Sequence, residues 1–226
     1  MTKVFNFFMA SILVIFTTCT TIWADTKKPS QCMFLIDGSL SYTYLDKAKE
    51  NISNIIANDN NCVKIYVRWI SDDSYADKNN IASAVLNDLN RINNPFGINA
   101  KKMKGKLIRE NHEIKKNIIN AVNKSKSPKS NLTDIYGALM ASSARFSRET
   151  NLRSLLFIFS DLEDDAKRKN KYNIRLDGVY VYAMDFQTND NSETLKSYWM
   201  DFFKKAGAAS LDIRHIDEPL AKYTRR

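Results

Sequence analysis

Histidine is nearly absent from this chain: His112 and His215 are the two present among 226 residues. That scarcity disfavours a histidine-built zinc or copper centre. Glycine (6) and proline (4) are too few for a collagen-like or loop-dominated chain. Three cysteines do not make the framework of a disulfide miniprotein. No internal repeat is visible, and no Pro/Ser/Gly linker divides the chain. What remains is an ordinary globular balance, 44% hydrophobic and 26% charged, long enough for one domain with a real core. Asparagine is common beside lysine, a compositional habit that carries no function.

The first residues read as a targeting segment. Lys3 is the sole charge in Met1–Ala24, Val4 to Phe16 is almost wholly apolar, and Ala24 precedes a charged stretch. This pattern predicts a secretory signal, residues 1–24, cleaved after Ala24 although Ile22 is a mediocre −3 residue. Two alternatives are an uncleaved anchor, since the run approaches the roughly 20 residues that span a bilayer, and lipidation at Cys19. All three export the body of the protein, residues 25–226. Cys32 and Cys62 each open an apolar run. If those runs are neighbouring parallel strands, export favours a disulfide between the two cysteines over a pair of buried free thiols.

Two hydrophobic periods alternate along the rest of the chain. Met33–Ile36, Val63–Ile70, Leu155–Phe159, Val179–Phe186 and Leu211–Ile216 read as strands. Tyr44, Leu45, Ala48, Ile52 and Ile55 recur at helical spacing, as do Ile81, Val85, Leu89 and Ile92. So do Leu107, Ile108, Ile114, Ile118 and Val122, then Leu132, Ile135, Leu139, Met140 and Phe146, and finally Leu195, Trp199, Phe202 and Ala206. Strands apolar on both faces, separated by amphipathic helices, predict an open, mostly parallel, doubly wound α/β sheet with helices on both faces.

Ligands of such sheets bind beyond the carboxyl ends of the strands, near the point where strand order reverses. The first strand is followed by Asp37-Gly38-Ser39-Leu40-Ser41 and the central one by Ser160-Asp161-Leu162-Glu163-Asp164-Asp165. Thr133 opens a helix within Asn131-Leu132-Thr133-Asp134-Ile135. Asp37, Ser39, Ser41, Thr133 and Asp161 together offer two carboxylates and three hydroxyls, hard oxygen donors that suit Mg²⁺, Mn²⁺ or Ca²⁺. Alternate residues of an extended segment point the same way, so the oxygens of Asp-x-Ser-x-Ser can converge. A purely structural role is the competing reading: Asp37, Ser39 and Thr133 as helix caps and Asp161 as the start of a turn.

These residues resemble the metal-ion-dependent adhesion site (MIDAS) of the von Willebrand factor A domain family. The family's site is an Asp-x-Ser-x-Ser, a Thr on a later loop and an Asp after the next central strand. The resemblance implies that the hydroxyls bind the metal directly and the carboxylates partly through water. It also implies that one position stays open for the Glu or Asp side chain of a protein partner. It gives a binding module and no catalysis. Three departures stand out. No antiparallel edge strand is recognisable, and residues 71–130 read as a helical, basic insertion. Leu-Glu-Asp-Asp follows Asp161 where Gly is common, so Glu163, Asp164 or Asp165 could extend or block the site or form a solvated turn. The segment from Asp165 to Gly178 is short and basic, which predicts a turn in place of a helix.

Charge is concentrated. The chain carries +9, and Lys101–Lys129 alone holds ten Lys/Arg against two acids. A solvated helix face is the plain reading. The functional ones are an anionic surface or an acidic partner steered toward the rim. Nucleic acid is disfavoured because the segment has no aromatic side chains for base stacking. An enzymatic alternative uses Ser39 with Asp212 and His215, as in SGNH-type serine hydrolases, although Asp-Gly-Ser reverses that family's Gly-Asp-Ser. A phosphatase of the haloacid dehalogenase type, with Asp37 as nucleophile, is weaker because Ser39 stands where a second Asp would act. A metal-independent scaffold completes the alternatives.

Overall fold

A computed structural model describes residues 28–89, 98–166, 171–186, 192–215 and 218. The expected export segment Met1–Ala24, with Cys19, lies outside the described residues, as do Ile92 and Ile216. Six strands form one sheet: β1 (Ser30–Asp37), β2 (Cys62–Ile70), β3 (Asn80–Val85), β4 (Arg153–Phe159), β5 (Tyr180–Phe186) and β6 (Ser210–His215). Their order is β3-β2-β1-β4-β5-β6. Every neighbouring pair is parallel except β2 and β3. The helices are α1 (Leu45–Asn58), α2 (Ile98–Lys124), α3 (Ile135–Phe146) and α4 (Ser192–Lys205), with one 3₁₀ turn at Asp77–Asn79. Among the described residues no helix is long and apolar enough to cross a membrane.

The apolar strands explain the three layers. Every residue of β1 is buried, and successive side chains go to opposite faces. Cys32, Phe34 and Ile36 join α1 and α2 in one core. Met33 and Leu35 join α3 and α4 in the other. Phe34, Phe157 and Tyr182 stack across β1, β4 and β5, with ring centroids 4.9 and 5.0 Å apart. The expected bond between Cys32 and Cys62 is formed; it crosslinks β1 to β2 with the Cα atoms 5.7 Å apart.

The helix expected from Ile81 to Ile92 is not there. Residues 80–85 are β3, the antiparallel edge strand, in register from Lys64 opposite Val85 to Val67 opposite Ala82, with a shift before Arg68 meets Asn80. Among its described residues the segment 71–130 is therefore a turn, a strand and then α2, and the helix within it is α2. Buried Arg68 stabilises the turn by donating from Nη2 to the carbonyls of Ser74 and Ala76, both at 2.9 Å. The carboxyl-terminal half of α2 packs Ile118 and Val122 into the first core. In its other half Lys101, Lys102, Lys104 and Lys106 are exposed, as a solvated face requires. Lys115 is the buried exception. Its Nζ donates to Asp59 O at 2.7 Å and Ala57 O at 3.3 Å, meeting the open carbonyls where α1 ends.

Candidate metal centre

Strand order reverses between β1 and β4, since β2 lies on one side of that pair and β5 on the other. The crevice beyond their carboxyl ends is the expected ligand position of a doubly wound sheet. Asp37 ends β1 there, 1% exposed. Its Oδ1 accepts from Ser39 N at 2.9 Å and its Oδ2 from Ser160 Oγ at 2.7 Å. Each oxygen keeps a further lone pair. Burial raises the Asp37 carboxyl above its ordinary value, only partly offset by these donors.

The chain leaves β1 along a narrow path. Gly38 N donates to Ile70 O at 2.9 Å. A Cβ on Gly38 would stand 2.5 Å from the Pro128 ring, so only glycine lets the two loops approach. Ser39 then pairs with Ser130 as an isolated parallel bridge. Leu40 N donates to Ser130 O at 2.9 Å, and Ser130 N to Gly38 O at 3.1 Å. Ser39 Oγ and Ser41 Oγ converge to 3.1 Å. Helix α1 begins only at Leu45, behind Tyr44 and without a side-chain cap bond. Asp37 and Ser39 therefore do not cap it.

Thr133 is 3% exposed and does not cap α3 either. Asp134 does, with Oδ1 accepting from Gly137 N at 2.9 Å. The Thr133 carbonyl accepts from Asp165 N at 3.1 Å and Ala166 N at 3.3 Å, fastening its loop to the one after β4. Asp134 N donates to Ser71 O at 2.8 Å, and Asp134 Oδ2 accepts from Ser74 N at 3.2 Å. Asp161 follows β4, and its Oδ1 accepts from Glu163 N at 3.0 Å. Burial pushes its carboxyl up to about 6, and the charges of Asp37, Glu163 and Asp165 add to the rise. Asp37 at the end of β1 and Ser39, Ser41, Thr133 and Asp161 on the loops thus all lie at one end of the sheet.

The acidic run after Asp161 divides its roles. Asp164 Oδ1 accepts from Ile135 N at 2.8 Å at the start of α3. Glu163 and Asp165 are exposed. Leu162 has φ +66° in a position glycine would adopt freely. Its side chain is fully buried, and its carbonyl accepts from Trp199 Nε1 at 2.9 Å.

Three contributors escape sequence reading. Ser160 and Asp134 orient the rim, and neither belongs to a recognisable spacing. The third is Asp185, at φ +72° where the β5–β6 register shifts, a bulge that re-aims its side chain. Asp185 Oδ2 accepts the hydroxyl of Tyr42, the residue after Ser41. A lone acid inside an apolar strand is its only sequence signal.

The hydrolase arrangement is not assembled. Ser39 follows β1 while Asp212 and His215 lie on β6, three strand positions away, or about 14 Å. Residues three apart on a strand face opposite sides of the sheet. Asp212 instead accepts from Arg214 at 2.7 Å.

The fold and rim define a three-layer α/β domain with hydroxyl and carboxylate oxygens gathered at its switch point. No protein-family model and no curated sequence matches the chain. Solved structures do. A von Willebrand factor type A structure from Catenulispora acidiphila is 12% identical, over 83% of this chain and 39% of that one, with a TM-score of 0.46. Proximal thread matrix protein 1 from the mussel byssus, with a zinc-occupied MIDAS motif, is 12% identical over 84% of this chain and 44% of that one, with a TM-score of 0.44. Human COPII-coat protein Sec24c is 10% identical over 84% and 30%, with a TM-score of 0.33. The chain is thus similar to solved von Willebrand factor A structures at low identity and spans less than half their length. What the rim can do rests on its own geometry.

Proposed function

We propose that this chain is an exported von Willebrand factor A-like binding module. Asp37, Ser39, Ser41, Thr133 and Asp161 hold a divalent cation, and the cation engages an acidic side chain of a protein partner. The observation that carries this reading is the pair of hydroxyls of Ser39 and Ser41, 3.1 Å apart beside the buried Asp37. The three residues are free of the helix-capping duty that would otherwise explain them. The residues fit such an ion. Two carboxylates raised by burial favour a nearby positive charge, and the remaining donors are neutral oxygens. Asp37, already accepting two hydrogen bonds, suits contact through water. The intramolecular disulfide agrees with an oxidising compartment. The role is binding without catalysis.

The test is thermal unfolding of the purified protein in chelator, then with Mg²⁺, Mn²⁺, Ca²⁺ and Zn²⁺, beside Asp37→Ala. Zn²⁺ belongs in the panel because the mussel protein's motif holds it. An ion that binds only the folded state raises the midpoint by mass action, by about 2.7 kcal/mol at a hundredfold excess over Kd. We expect such a rise in the wild type and none in Asp37→Ala. Well-folded protein that responds to no ion would overturn the metal reading and leave a metal-independent scaffold.

A further inference from the structure

The concentration of positive charge has a concave side. A cleft of about 700 Å³ opens between the 3₁₀ turn, the end of α2 and the loop that follows it. Lys78, Lys124, Lys126 and Lys129 line it, with Asp72 as the acid among its lining residues. All four lysines are exposed, and among the described residues none of them forms an ion pair. The dipole of α2 accounts for Lys124 in its last turn. It does not account for Lys78 from the 3₁₀ turn or for Lys126 and Lys129 from the loop after α2, which line the same opening.

The wall of this cleft is also the wall of the metal rim. Ser130 lines the cleft and pairs with Ser39. Ser127 Oγ donates to Gly38 O at 2.8 Å, and Pro128 packs into the space that Gly38 leaves. Lys129 sits at φ +52° between these anchors. The loop is therefore built against β1 and its continuation. Buried Trp69 lines the cleft as well.

We propose that this lysine cleft is a second docking point for the partner, an acidic polypeptide segment whose carboxylates enter it beside the one at the rim. The cleft's own affinity for carboxylates stands apart from the cation; only the joint engagement rests on the function proposed above. A concave site suits a chain better than a flat membrane face. Four lysines lining one opening without ion-pair partners attract anions, and binding one relieves their mutual repulsion.

The probe is a fluorescein-labelled decaglutamate peptide, followed by fluorescence anisotropy at low salt. Wild type is compared with Lys78→Gln/Lys126→Gln/Lys129→Gln and with Lys101→Gln/Lys102→Gln/Lys104→Gln, which removes equal charge at the far end of α2. All six positions are exposed, and matched unfolding midpoints confirm that both variants fold. In chelator, the cleft variant is expected to bind about tenfold more weakly, the sum of three modest exposed pairs. The distal variant should change less than about twofold. Equal losses in the two variants, or no loss in the cleft variant, overturn the cleft. So do phosphatidylserine vesicles that bind through the same three lysines while the peptide does not. Adding Mg²⁺ to the wild type separates the two proposals. A cleft effect with no increment from Mg²⁺, or from Mn²⁺, Ca²⁺ or Zn²⁺ in its place, leaves the cleft standing and removes the metal reading, and an increment without a cleft effect does the reverse.

Discussion

Leu162 carries two opposed demands. Its backbone sits at φ +66° beside the rim, and its side chain is fully buried in the core with α3 and α4. A left-handed leucine costs about 1–2 kcal/mol, whereas losing a buried leucine side chain costs about 2–5 kcal/mol. Burial wins. Leu162→Gly is therefore expected to lower stability by about 2 kcal/mol, read from the urea midpoint, even though it relaxes the backbone. An unchanged or raised midpoint would show that the strain dominates. At this scale the position of the rim was legible, because Asp-x-Ser-x-Ser is a local pattern that directly follows an apolar strand. Ser160, Asp134 and Asp185 were not, because each acts through a partner distant in sequence: Asp37, Ser74 and Tyr42.

At the scale of elements, strands buried on both faces announced themselves as continuous apolar runs, and β3 did not. Ile81 and Val85 are four apart, a spacing that shares one face in a helix and in a strand alike. The edge strand is only partly buried: Ile81, Ala82 and Ala84 pack on the core while Val85 is 62% exposed. Two alanines supply no β-branched signal, so the helical period prevailed on the page and pairing with β2 prevailed in the fold. The crosslink between β1 and β2 needed that strand adjacency before it could be inferred. Closing a loop of 30 residues, it restrains the unfolded chain by about 3.6 kcal/mol. Cys32→Ala/Cys62→Ala is expected to lose about that much stability in urea unfolding. The metal-dependent rise should survive, because Cys32 lies five residues, about 16 Å, from Asp37 along β1. Loss of the metal response in a folded variant would show that the two ends of the strand are coupled.

Across the whole molecule, buried acids gather at the carboxyl end of the sheet while the surplus of lysine lies on α2 and its loop. Burial pushes the carboxyls of both Asp161 and Asp185 up to about 6, and raises Asp37 in the same direction. Lys47 and His215 oppose the rise at Asp185, as does the donor Tyr42, without cancelling it. A folded-state value above the unfolded one of about 3.9 means that the folded protein holds protons the unfolded chain has released. Stability then falls as pH climbs through that interval and levels off above it. For the fully buried Asp185 the difference is on the order of 3 kcal/mol. With only two histidines in the chain, these carboxylates dominate the window. In chelator, the urea midpoint is therefore expected to be higher at pH 5 than at pH 7.5, the reverse of a protein held together by salt-bridged carboxylates. Asp185→Asn, which can still accept from Tyr42, should reduce that difference. A midpoint independent of pH, or one that rises toward pH 7.5, would mean that the buried carboxyls are stabilised as anions by the fold itself. A divalent cation changes the balance at the rim, since it supplies the missing charge once the proton has left. Its stabilising increment is accordingly expected to be large at pH 7.5 and to shrink at pH 5, where protons compete for the same oxygens.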